Sequence, residues 1–329
     1  MKVLITGGGG FIGQRLARAL SARGSLAGPG GRETPIEELI LLDVEAPRTE
    51  GLKLKTRAVA GDISDAAQMR ALIDPQVGGV FHLAAVVSGG AEQDFDLGYR
   101  INLDGTRYVL EACRHSGAKP RVVFTSSVAA YGGAIPETVT DDTPPTPETS
   151  YGAQKVMGEL LVSDYSRKGF LDGRSLRLPT IVVRPGKPNK AASSFASGII
   201  REPLTGQEAI CPVDREVRHP ILSPRKVVEA LIRAHQVDAK AFRATRTITL
   251  PGQMVSIGAM VEALARVAGA KVAERIKFVP DPFIQRIVAT WPKGCDSLLA
   301  RKLGFEHDPD IDSVIRGFVE DELGGRIAV

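Results

Sequence analysis

Tyr151 and Lys155 stand four residues apart in "YGAQK", at the start of a helical pattern, so both side chains leave one face of that helix. A phenol ordinarily titrates near pH ~10 and is a poor base at neutrality. A neighbouring ammonium stabilises the phenolate and brings it into range for taking a proton from an alcohol. A third group must hold that alcohol. "FTSSVAAYGG" offers one at the end of a strand, where Ser127 or Ser126 projects above the carboxyl edge of a sheet. Tyr-x-x-x-Lys by itself is common, so its meaning depends on what else the chain carries.

The first turn carries the complement. "TGGGGFIG" spaces Gly7, Gly10 and Gly13 as G-x-x-G-x-x-G directly after an apolar run, with Phe11 and Ile12 opening a helix. Glycines there let the backbone approach a pyrophosphate, whose charge is stabilised by free N–H groups and the helix dipole. Asp43 ends the second apolar run, where a carboxylate accepts both ribose hydroxyls and repels a 2′-phosphate, favouring NAD over NADP; the other reading is a solvated strand end. In "GDISD", Asp62 is placed to accept from an adenine amino group with Ile63 packing on the ring, beside a helix start that Ser64 would cap. Leu83, Ala84 and Ala85 in "HLAA" would let the cofactor lie close, while His82 reads as a core histidine and not a base. The positive nicotinamide of an oxidised cofactor would add to Lys155 in stabilising a Tyr151 phenolate.

These residues need a scaffold, and the chain supplies an alternating one. "KVLITG", "ELILLDV", "LKTRAVAGD", "GVFHLAA", "RVVFTSS" and "SLRLPTIVVRP" are strand-sized and rich in Val, Ile and Leu. Between most of them lie helical patterns: Gly13 to Arg23, Asp65 to Ile73, Tyr99 to His115 and Gly152 to Arg167. The alternation predicts a doubly wound α/β parallel sheet covered on both faces. A Rossmann domain is expected over residues 1–186, with 221–252 returning to it, and a smaller C-terminal substrate-binding lobe over 187–220 and 253–329. "GSLAGPGGRETPIEE" reads as a mobile surface insertion. "LSPRKVVEALIRAHQ" is a helix with Ser223 as N-cap and Pro224 at its first position, "TRTITLPG" a further strand, "SIGAMVEALARVAG" a helix, and Ile311 to Glu322 a C-terminal helix.

Composition excludes several classes. The net charge of +4 is spread over 329 residues with no basic block, which argues against nucleic acid. No apolar run reaches the ~18 to 20 residues of a membrane-crossing helix. The apolar N-terminus breaks into glycines and reads as a first strand, not a signal peptide. Cys113, Cys211 and Cys295 lie far apart, which suggests a reduced cytoplasm, no disulfide framework and no metal site.

Together, "TGGGGFIG", "HLAA", "NLDGT", "FTSSVAAYG" and "YGAQK" resemble the extended short-chain dehydrogenase/reductase family over essentially the whole chain. The resemblance implies Ser127 as catalytic serine, Tyr151 as acid/base and Lys155 as its partner. It implies NAD as cofactor, held by the residues above with Asn102, a structural residue near the active site, and with Pro179 and Thr180 beside the nicotinamide carboxamide. It also suggests a homodimer through the helices after the fourth and fifth strands. The family contains epimerases, dehydratases and reductases, so membership leaves the reaction open.

"RLPTIVVRPGKPNKAASSFASGIIREPL", "HLAAVVSGGAEQDFDLG" and "DYSRKGFLDGRSLRLPT" narrow it: they resemble bacterial members that oxidise the C2 hydroxyl of D-erythronate, a four-carbon sugar acid, with NAD. Nucleotide-sugar members commonly carry Arg-x-Gly-Asp for a diphosphate. The matching region here, "VPDPFIQRIVATWPKG", lacks it and leaves Arg286 without a role. A sugar acid wants a cation or N–H donors for its carboxylate and paired donors and acceptors for its hydroxyls. Candidates are Ser88, Gly89, Asn189, Lys190, Ser193 and Ser194, although Lys187 and Lys190 read more readily as solvated and the two serines can serve as helix caps. Arg218 matches the position where nucleotide-sugar relatives hold a phosphate, and is either a carboxylate clamp or a partner of Glu216. A nucleotide-sugar epimerase or dehydratase that recycles its cofactor, and an NAD sensor without turnover, are the other readings.

Overall fold

The computed structural model describes residues 1–188 and 191–328; Asn189 and Lys190 lie outside the described residues. Seven strands, β1 (Lys2–Thr6), β2 (Glu38–Asp43), β3 (Thr56–Ala60), β4 (Val77–His82), β5 (Arg121–Ser127), β6 (Asp172–Leu178) and β7 (Thr247–Thr249), form one sheet in the order 7-6-5-4-1-2-3. β1 runs parallel to both β2 and β4, β2 to β3, and β4 to β5. The order reverses at β1, so the crevice beyond the carboxyl ends of β1 and β4 is the topological switch point where such sheets take ligands. Val3, Leu4 and Ile5 and the run Leu39–Leu42 are wholly buried, as strands covered on both faces must be. The cover comes from α1 (Phe11–Arg23), α2 (Ala66–Leu72), α3 (Thr106–Ser116) and α4 (Ser150–Arg167).

Four local expectations need correction. Ser25–Ala27 and Glu33–Pro35 pair as an antiparallel hairpin, and Leu26, Ala27 and Ile36 are buried, so the glycine-rich insertion is packed structure. Its turn residues, not its packed ones, dominated the composition. The helix from Tyr99 opens with a π-helical stretch, Tyr99–Gly105, before becoming α3. α2 is capped by Asp65, whose carboxylate accepts from the N–H groups of Ala67 and Gln68, and not by Ser64. "SLRLPTIVVRP" is two strands: β6 ends at Leu178, and Thr180–Ile181 pairs elsewhere.

The described residues fall into two compact units. The first comprises Met1–Ala130, Thr149–Arg177 and Val228–Ile248; the second comprises Tyr131–Glu148, Leu178–Val227 and the described residues of Thr249–Val329. The second therefore takes in Tyr131–Glu148 and Leu178–Gly186, which the sequence assigns to the first. Pairing explains why: Thr138–Thr140 runs parallel to Gly294–Asp296, and Thr180–Ile181 parallel to Ile221 and Leu222 of the strand Arg218–Leu222. That strand also pairs antiparallel with Gln253–Ser256. Helices Ser194–Leu204, Ile257–Ala268 and Ile311–Leu323 bury Ile199, Ile200, Met260, Leu264, Ile315 and Phe318 in a separate core. The helix Pro224–Gln236 begins as expected, with the Ser223 hydroxyl accepting from the N–H of Lys226 at 3.2 Å.

Candidate active site

The glycine turn has the shape its spacing requires. Gly7 adopts φ +72, and a Cβ there would stand 2.8 Å from the backbone nitrogen of Ala84; one on Gly13 would stand 2.1 Å from the Gly7 carbonyl oxygen. Backbone thus packs on backbone where any side chain would intrude. α1 has Gly10 as its N-cap and no side-chain cap, which leaves first-turn N–H groups open to an anion. Phe11 and Ile12 begin the helix half-buried. Asp43 accepts from the N–H of Gly9 at 3.0 Å and of Val44 at 2.8 Å, so it braces the turn and keeps lone pairs for ribose hydroxyls. The cradle, the uncapped helix and this carboxylate fit a dinucleotide.

Leu83, Ala84 and Ala85 follow β4 half-buried, with the N–H groups of Leu83 and Ala84 donating to the carbonyl and hydroxyl of Thr6 at 3.1 and 3.3 Å. Ser88 and Gly89 open the short helix Ser88–Gln93 just beyond. Asp62 accepts from the N–H of Ser64 and from Arg100, at 2.8 and 3.0 Å; burial pushes its carboxyl up, but these bonds outweigh it and hold the group below its ordinary value. Ile63 is buried under Gly105. His82 is the bonded core histidine expected: it pairs with Thr6 at 2.7 Å and Thr106 at 2.9 Å, and burial, with Lys155 nearby, pushes it down to about 3. Asn102, in the π-helical stretch, donates to the Val86 carbonyl at 3.1 Å and to Gln154 at 2.7 Å, and accepts from the N–H of Val86 at 2.8 Å. Both its amide hydrogens are used inside the protein, so its side chain braces the loop after β4 and does not donate to a cofactor.

The two serines separate cleanly. Ser126 is buried and donates to Glu159 at 2.5 Å, whereas Ser127 is half-buried, and among the described residues its hydroxyl accepts only from the N–H of Ala129, at 3.1 Å. Thr149 caps α4, which brings half-buried Tyr151 into the first turn and Lys155 to the sheet. Lys155 is 2% exposed, donates to the Thr125 carbonyl at 2.8 Å, and lies 5.5 Å from the Tyr151 ring centre. Burial pushes its ammonium down to about 7, with Glu159 pulling the other way.

The remaining candidates belong to the second unit. Pro179 and Thr180 are buried at the start of the short strand Thr180–Ile181. Ser193 takes the N-cap position of the helix Ser194–Leu204 without a side-chain cap bond; its hydroxyl instead receives Arg184 at 3.4 Å. Arg218 is exposed and makes no ion pair among the described residues, with Glu216 or any other acid. It lines a cavity of about 680 Å³ with Asp214, Glu216, Gln285, Trp291 and Lys293, the last paired to Glu137 at 3.1 Å. Arg286 is exposed and not part of that lining. Two groups escaped the sequence reading: Glu159, held by Ser126 and Arg177, and the wall formed by Gln285 and Trp291. No local pattern announces either, because the partners meet only in the fold.

A sheet ordered 3-2-1-4-5-6-7, with an open glycine turn at its switch point and a Ser, Tyr and Lys set beyond the neighbouring strands, defines a dinucleotide-binding α/β protein. Comparison with known proteins is more specific: residues 3–245 match the NAD dependent epimerase/dehydratase family, and the chain belongs to it. It is 54% identical over 322 residues to D-erythronate dehydrogenase of Cupriavidus necator, covering 98% of each chain. It is 46% identical to D-erythronate dehydrogenase of Haemophilus influenzae, covering 98% of this chain and all of that one. Among solved structures, a nucleoside-diphosphate-sugar epimerase from Agrobacterium tumefaciens superposes with a TM-score of 0.93 at 45% identity, covering 100% of this chain and 96% of that one.

Proposed function

We propose that this protein oxidises the C2 hydroxyl of D-erythronate to 2-dehydro-D-erythronate with NAD. The observation that carries the reading is the division of labour between the two serines: Ser126 is tied to Glu159, while Ser127 keeps its hydroxyl proton available beside the Tyr151 and Lys155 helix. Likeness to two D-erythronate dehydrogenases over 98% of the chain supports the substrate.

In this mechanism Ser127 holds the C2 hydroxyl, and Tyr151 as phenolate takes its proton. Lys155, anchored on the Thr125 carbonyl, keeps a positive charge near the phenolate and binds the nicotinamide ribose. Bound NAD supplies the acceptor for the hydride that leaves C2. The turn at Gly7, Gly10 and Gly13, with Asp43, would hold the cofactor; the candidates for the sugar acid are Ser88 and Gly89 in the first unit, Ser193 and Arg218 in the second, and Asn189. Arg218, exposed in a concave wall and without an ion pair among the described residues, is the carboxylate clamp.

The name of the Agrobacterium relative favours a second reading, a nucleotide-sugar epimerase that recycles its cofactor. NADH formation from NAD and a panel of four- to six-carbon sugar acids separates them. Turnover restricted to D-erythronate is expected; none across the panel, with NAD bound tightly, overturns the reading in favour of the epimerase. We further infer a cytoplasmic homodimer. Leu160 on α4 is 65% exposed and Phe95 56%, which supports an apolar contact between copies, and the three free cysteines suit a reducing compartment.

A further inference from the structure

Glu159 follows Lys155 by one turn on α4 and is buried. It sits there because Gly158 lets the helix close on the sheet: a Cβ at Gly158 would stand 2.6 Å from the Phe124 ring, the same ring that lies 4.8 Å from the Lys155 nitrogen. Three hydrogen bonds converge on the Glu159 carboxylate. Arg177 of β6 donates from Nε at 2.9 Å and from Nη2 at 2.7 Å, a bidentate pair, and the Ser126 hydroxyl of β5 donates at 2.5 Å. The residue after Ser126 is Ser127, and the carbonyl before it, of Thr125, holds Lys155.

We propose that Glu159 is a positioning residue for this site: locked by Arg177, it fixes the Thr125–Ser127 strand end and places a negative charge one turn below Lys155. The carboxylate thereby acts on both sides of the catalytic set without touching substrate. The ionisable groups bearing on Lys155 come from three elements: Tyr151 and Glu159 on its own helix, His82 on β4, and Arg177 on β6 through its pair with Glu159. The π-helical stretch contributes the amide of Asn102, bonded to Gln154. Of these, Glu159 alone is an anion that opposes the effect of burial on Lys155. Removing its charge makes Lys155 lose its proton sooner, and a Tyr151 phenolate without a neighbouring ammonium forms only at higher pH.

The kinetic readout rests on the dehydrogenase reading above; a spectroscopic one does not. Glu159→Gln is expected to lower kcat about tenfold, leave the KM for NAD within about twofold, and narrow the pH window of NADH formation by about one unit. Glu159→Asp, which keeps the charge, should recover part of the window. Because Glu159→Gln takes from Arg177 the carboxylate it pairs with in the interior and destabilises the fold, Glu159→Gln with Arg177→Met is the second variant, and it should fold with the narrowed window retained. Wild-type kcat and an unaltered window in that double variant would overturn the proposal and leave Glu159 a structural ion pair. If the wild type forms no NADH from D-erythronate, the substrate reading fails by itself. The proposal is then decided by the Lys155 titration, followed in 15N-lysine-labelled protein and assigned with Lys155→Arg. A lower midpoint in the double variant supports it, and an unchanged midpoint refutes it.

Discussion

Two buried histidines, one in each unit, sit in different polar surroundings. In the first unit, His82 lies in a continuous series: the Thr6 hydroxyl donates to Nδ1, Nε2–H donates to Thr106, and Thr106 donates to the Asn102 carbonyl at 2.7 Å. The donor of Thr106 is already used, which assigns the ring proton to Nε2. Asn102 then ties Val86 to Gln154, next to Lys155. In the second unit, the strand Arg218–Leu222 carries an arginine with no acid, and a buried histidine, His219, neither of whose nitrogens has a hydrogen-bond partner among the described residues. A series such as that from Thr6 to Asn102, whose members satisfy one another, holds its geometry before any ligand arrives, which is what proton transfer requires. A region with unused donors is completed by what binds there.

Breaking the first region at its reacting atom should have the largest effect. Tyr151→Phe keeps the ring and removes the hydroxyl, so NADH formation is expected to fall by on the order of 10² to 10⁴-fold, with NAD still binding in a fluorescence titration. Near-normal turnover would mean that the bonded region is scaffold and the chemistry lies elsewhere. On the second region, Arg218→Met should raise the KM for D-erythronate about 10- to 100-fold, the worth of a charged hydrogen bond. Thermal stability should hold, because Arg218 has no ion pair to lose among the described residues. An unchanged KM with reduced stability would reverse the contrast and make Arg218 structural.

Asp43 tests the first region on its cofactor side. Asp43→Asn should weaken NAD binding about tenfold by titration calorimetry and reduce the preference over NADP, because the carboxylate both accepts from ribose hydroxyls and repels a 2′-phosphate. Gly9 and Val44 donate to different carboxylate oxygens, so the single amide oxygen keeps one of the two bonds, and the turn should be weakened but the sheet retained.

The same contrast explains what was legible before the fold. Gly7 and Gly13 are readable because backbone contacts forbid any side chain there, a local constraint that writes itself as spacing. Tyr151 and Lys155 are readable because one helix sets their separation. The parallel sheet follows from alternating apolar runs and helices. Ser126, Glu159 and Arg177 are not readable as a set, because they come from β5, α4 and β6 and meet only after folding. The choice between Ser126 and Ser127 depends on that set and stays open without it. The cavity wall at Gln285 and Trp291 has no motif, and the hairpin at Ser25–Pro35 was obscured by its own turn glycines.

The smallest expected effect compares the two histidines directly. His219 packs edge-on between Phe195 and Trp291, at 6.2 and 6.0 Å between ring centres, and burial pushes its pKa down to about 4. The unfolded chain binds a proton near pH 6.5 that the folded chain refuses until about 4, so this residue's contribution makes stability fall as pH drops through that interval, by at most roughly 3 kcal/mol. His219→Phe removes the titration without removing a hydrogen bond, so urea unfolding should show a shallower loss between pH 6.5 and 4 and no loss at pH 7. His82→Phe removes a titrating ring too, but it also strips Thr6 and Thr106 of a buried partner, and should cost about 1 to 3 kcal/mol at every pH. Equal behaviour of the two variants would mean that the bonded and unbonded regions do not differ in the way their contacts imply.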